Sequence, residues 1–66
     1  MRREILEALK ALAIGNIKKA KMNIEVYLVN PVGIGEHSDI VEATQKELST
    51  MGHASERLEM LSKHFE

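Results

Sequence analysis

The run Asn23-Ile24-Glu25-Val26-Tyr27-Leu28-Val29-Asn30-Pro31-Val32-Gly33-Ile34-Gly35-Glu36-His37-Ser38-Asp39-Ile40 carries the central ambiguity of the chain. Its first seven residues are rich in β-branched side chains and alternate in part, as a strand would. Yet they also continue a helical rhythm begun near the first residue. Apolar or small residues recur at Leu6, Leu9, Ala13, Ile17, Ala20, Ile24 and Tyr27, in steps of three and four. That unbroken spacing favours helix through Val29. Pro31 disfavours helical geometry at Asn30 and sets the end. The rest of the run, with its proline and two glycines, reads as a corner in which Ile34 plugs one end of a helical bundle.

Working outward, the corner divides the chain into two arms. The first predicts a helix over about 2–29, then a loop over 30–37. Ser38 and Asp39 are good helix starts, and Asp39-x-x-Glu42 fits a capping box. The second helix is expected over about 38–64, with a stripe at Ile40, Thr44, Leu48, Met51, Ala54, Leu58, Leu61 and Phe65. Gly52 weakens this helix by about 1 kcal/mol relative to alanine but need not end it. One short loop makes the two helices antiparallel neighbours. The predicted fold class is therefore all-α, a two-helix antiparallel hairpin.

Charge divides along the same line. Residues 1–29 hold six Lys/Arg and three Asp/Glu, while residues 30–66 hold three and seven. The net charge of −1 is thus a cancellation between a basic arm and an acidic one. Opposite signs favour pairing of the arms, though exposed ion pairs contribute only ~0–1 kcal/mol each.

The chain has 66 residues and no cysteine. This excludes disulfide staples, thiolate zinc sites, iron–sulfur clusters and a cysteine nucleophile. A small chain without staples depends on packing alone. A compact globule of this mass buries barely enough apolar surface, and an elongated hairpin falls short. The first arm also carries Ile14, Met22 and Leu28 off its main stripe, with Ile5, Leu12 and Val26 widening it. Met60, off the second stripe, is placed for a contact between subunits. The expectation is a homodimer of hairpins forming a four-helix bundle. Its interface is expected to draw on Leu6, Leu9, Ala13, Asn16, Ile17, Ala20, Asn23, Ile24 and Tyr27 of the first arm. The second arm would add Leu48, Met51, Leu58, Leu61 and Phe65. Asn16 and Asn23, one heptad apart, are suited to fixing register and oligomer state.

Chemistry-bearing motifs are weak. Gly33-x-Gly35 ahead of a helix start could cradle an anion, but Glu36 and Asp39 would repel it, and the lysine and preceding strand of a phosphate loop are missing. His53 and His64 lie three helical turns apart, too far to share a metal. No Glu-x-x-His or His-Glu-x-x-His pattern occurs. His37 beside Glu36 and Asp39 is a possible acid–base or metal cluster, more simply read as solvated loop residues. Ile34, Glu36 and His37 stand as candidates for a partner-binding loop. None of the serines has the setting of a nucleophile. No enzyme activity, cofactor or metal is expected.

Lys18, Lys19, Lys21, Arg2 and Arg3 offer an alternative, a nucleic-acid-associated protein. The pI near 6.3 gives no overall pull towards nucleic acid, and two aromatic residues leave no stacking platform. The simpler reading is a solvated face. No apolar run approaches the ~20 residues of a membrane span. The basic start is interrupted by Glu7 and Lys10 before a signal-peptide core forms. The expected compartment is the cytoplasm.

Residues Glu25 to Ile40, together with Glu7-Ala8-Leu9-Lys10-Ala11-Leu12-Ala13 and Glu56-Arg57-Leu58-Glu59-Met60-Leu61, resemble a family of very short proteins of marine tailed bacteriophages and marine metagenomes. That family has no assigned activity. The resemblance implies a phage accessory protein in an infected bacterial cell, with no site residues to carry over. The sequence as a whole predicts a small non-enzymatic structural or interaction protein, partnered by itself and by a second protein.

Overall fold

A computed structural model describes residues 1–29 and 39–66. Two helices, α1 (Arg2–Val29) and α2 (Ile40–Phe65), pack against each other along their length. There is no strand among the described residues. The β-branched run at 23–29 is helical. Packing along the partner helix outweighs its weak local preference for extended backbone. Contacts between Arg2 and Phe65 at one end and Asn23 and Glu47 towards the other show that the helices run antiparallel. The molecule measures 47 × 16 × 15 Å.

Asp39 caps α2, its Oδ1 accepting from the Glu42 backbone N–H at 2.9 Å. Lys63 and His64 sit in the last turn of α2, where positive charge suits the helix dipole.

The contact seam keeps a stricter rhythm than the apolar pattern. On α1 the buried and half-buried positions are Leu6, Lys10, Ala13, Ile17, Ala20, Ile24 and Tyr27, flanked by Asn16 and Asn23. On α2 they are Ile40, Thr44, Glu47, Met51, Ala54, Leu58 and Leu61, with Ala43 beside them. Steps of three and four alternate throughout. Three residues of the apolar stripes therefore leave the seam, Leu9, Leu48 and, at the end of α2, Phe65. Lys10 takes the place expected for Leu9, and Glu47 that expected for Leu48. Leu9, Leu48 and Phe65 are exposed. Two helices touch along a line of period 3.5, and that geometry prevails over the hydrophobicity of a single residue.

Lys10 and Glu47 both find partners across the seam. Lys10 Nζ pairs with Glu66 Oε1 across the helices. Asn23 Nδ2 donates to Glu47 Oε2 at 3.1 Å. Among the described residues Lys10–Glu66 is the one ion pair joining α1 to α2. Met1–Glu4, Arg3–Glu7 and Glu42–Lys46 lie within a helix. The terminal ammonium beside Glu4 holds that carboxyl below its usual value, helped by a backbone hydrogen bond. The opposite charges of the two arms thus contribute little direct pairing, and packing holds the hairpin.

The Asn23–Glu47 bond has a testable consequence. Asn23→Leu alone removes the donor from a half-buried carboxylate and is expected to cost about 1 kcal/mol. Asn23→Leu together with Glu47→Leu should recover that loss or exceed it, since apolar replacement of a buried polar pair is often neutral or stabilising. Thermal unfolding of the single and double variants measures both.

Candidate interaction surface

The fully enclosed side chains are small. Ala13, Ala20 and Ala54 are 3%, 1% and 0% exposed, and among the described residues no large side chain is fully buried. Alanine at these seam positions lets the helix axes approach closely. It also leaves many of the large apolar side chains outside the seam.

They are not scattered at random. Stepping the seam positions nearest the termini back by one residue gives Ile5, Leu9, Leu12 and Asn16 on α1, and Arg57 and Met60 on α2. In an antiparallel pair these positions share one flank of the hairpin. Leu9, Leu12, Ala13 and Asn16 there face Glu56, Arg57, Met60, Leu61 and Phe65 across an open groove of about 430 Å³. Leu12 is 63% exposed and Phe65 52%. Further along the same flank, the composition turns polar and basic with Lys19, Lys46 and His53. The opposite flank carries a looser set, Ile14, Leu28, Val41 and Leu48, all exposed and separated by charged residues.

The expected interface residues fall into three groups. Leu6, Ala13, Ile17, Ala20, Ile24, Tyr27, Met51, Leu58 and Leu61 line the seam within the chain, with Asn16 and Asn23 at its edge. Leu9 and Phe65 belong to the open groove, and Leu48 to the other flank. Leu12, Glu56 and Arg57 line the groove without having been in the expected set. The signal for Leu12 was present as a second 3–4 rhythm displaced one residue from the seam. Ile34, Glu36, His37 and the corner at 30–37 lie outside the described residues.

Lys18, Lys19 and Lys21 are exposed, but consecutive helical positions turn by about 100°. Lys19 thus points to the groove flank and Lys18 and Lys21 to the other. Arg2 Nη2 donates to the Phe65 carbonyl at 2.9 Å, and Arg3 pairs with Glu7 at 4.0 Å. These cations do not form one surface. Among the described residues no three His, Asp or Glu side chains gather as a metal site, and no helix is long and apolar enough to cross a membrane.

No protein-family model matches the chain, and no curated protein or solved structure is found similar to it.

Proposed function

We propose that the chain is a small non-enzymatic interaction protein, a helical hairpin that self-associates into a four-helix bundle. One observation carries this reading. The chain exposes 5252 Å², against roughly 4,200 Å² for a compact monomer of this mass. The surplus of roughly 1,000 Å² resembles the ~800 Å² that each partner contributes to a standard stable interface.

The resemblance at residues 25–40 is the ground for placing this role among phage accessory proteins acting in the cytoplasm of an infected cell. The nucleic-acid alternative has less support, because the basic residues divide between two flanks.

Sedimentation equilibrium between roughly 1 µM and 100 µM tests self-association. A dimer mass is expected at the upper end, with an unfolding midpoint that rises with protein concentration. A folded monomer throughout, with a concentration-independent midpoint, overturns the proposal.

A further inference from the structure

Resting on that self-association, we infer that the groove of Leu9, Leu12, Met60 and Phe65 is the seat of a second copy of this chain. The two hairpins cross groove to groove about a twofold axis near Leu12. Three observations select this occupant and this flank. The groove is lined mainly by apolar side chains, Leu9, Leu12, Met60, Leu61 and Phe65 among them, and it lies in the half of the hairpin nearest the two termini. The chain's surplus of exposed surface is close to what one partner contributes to a stable interface, as reckoned above. Its rim holds one acid and one base, Glu56 and Arg57, so a twofold copy can set each against its opposite.

The basic half of the flank fixes how the copies lie. A parallel stacking would bring Lys19 and Lys46 of one hairpin against the same residues of the other, four cations of which only the Lys46 pair has an acid beside it, Glu42 at 3.8 Å. Crossing at the termini-proximal half keeps the Lys19–Lys46 ends apart and places apolar surface on apolar surface. An isologous contact of this kind closes on itself and stops at a dimer.

The absence of native cysteine makes the test direct. Single-cysteine variants Leu12→Cys, Lys19→Cys and Leu48→Cys are treated with a short bis-maleimide at a concentration where the wild-type chain is dimeric. All three positions are exposed, so the hairpin tolerates each. Leu12→Cys is expected to cross-link about tenfold faster or more, because its partner thiol is held at high effective concentration. Equal or faster cross-linking through Lys19→Cys overturns the crossed arrangement, and faster cross-linking through Leu48→Cys overturns the choice of flank. In a second arm, Leu12→Glu should weaken dimerisation by about a hundredfold, as charge in a desolvated contact does, while helical circular dichroism at high protein concentration persists. A Leu12→Glu dimer as tight as wild type overturns the groove as the interface. A wild-type chain that sediments as a monomer instead overturns the underlying self-association, so the two failures are told apart.

Discussion

Replacing Ala54 with leucine is expected to destabilise the protein by roughly 1–3 kcal/mol, the usual cost of forcing extra methylenes into a packed contact. Ala54 is fully enclosed, at a position where the helices meet through small side chains. A leucine there must push α1 and α2 apart or adopt a strained rotamer. Separation would also loosen Ala13 and Ala20, which depend on the same close approach. For a domain of this size, 1 kcal/mol moves the unfolding midpoint by about 4–8 °C. Thermal or urea unfolding of Ala54→Leu reads the loss. Leu48→Ala, at an exposed position, serves as the contrast, with a change within about 0.5 kcal/mol. A stable Ala54→Leu would show that the seam is roomier than its alanines indicate.

The largest gain is expected from the two helical glycines. Gly15 and Gly52 lie inside α1 and α2, and a Cβ built at either meets nothing within 4 Å. Neither glycine is kept by a close approach of a neighbour. Alanine at each should therefore recover most of the 0.8–1.0 kcal/mol by which glycine trails alanine in a helix interior, approximately. With no shared partner, the two effects should add, to about 1.5–2 kcal/mol. Urea unfolding of Gly15→Ala, Gly52→Ala and the double variant measures this. A loss of stability in either single variant would mean that the outer face there is occupied in the assembled protein. That result would bear on the oligomer as much as on the helix.

How far the sequence reveals this molecule depends on which signal is consulted. Periodicity alone separates the chain into two helices, including the β-branched run at 23–29, and Pro31 marks where the first must end. The position of Asp39 three residues before Glu42 likewise identifies the cap. Hydrophobicity misleads at Lys10 and Glu47. There the more apolar neighbours, Leu9 and Leu48, draw the stripe one residue aside. A long side chain with a polar tip can occupy a seam position when a partner lies within reach, and Glu66 and Asn23 are such partners. Those partners sit 56 and 24 residues away in sequence, so their proximity is a property of the folded hairpin. The groove is legible in the same indirect way. Ile5, Leu9 and Leu12 announce an apolar edge, but only the antiparallel packing of α1 on α2 brings Met60 and Phe65 beside it.

The three enclosed alanines have a consequence for how this sequence tolerates change. A substitution opens a void only where a bulky group was sealed in, and here nothing bulky is sealed in. Seen from the hairpin alone, positions 13, 20 and 54 tolerate nothing larger, the half-buried seam positions tolerate partial truncation, and the described positions outside the seam can vary freely. A complete substitution survey scored for folding should then dip at the seam positions, 6, 10, 13, 17, 20, 24 and 27 on α1 and 40, 44, 47, 51, 54, 58 and 61 on α2, and stay nearly level between them. Any further dip, at Leu12 or Phe65 for instance, would record pressure from outside the hairpin, and the survey would draw the outline of whatever the protein touches.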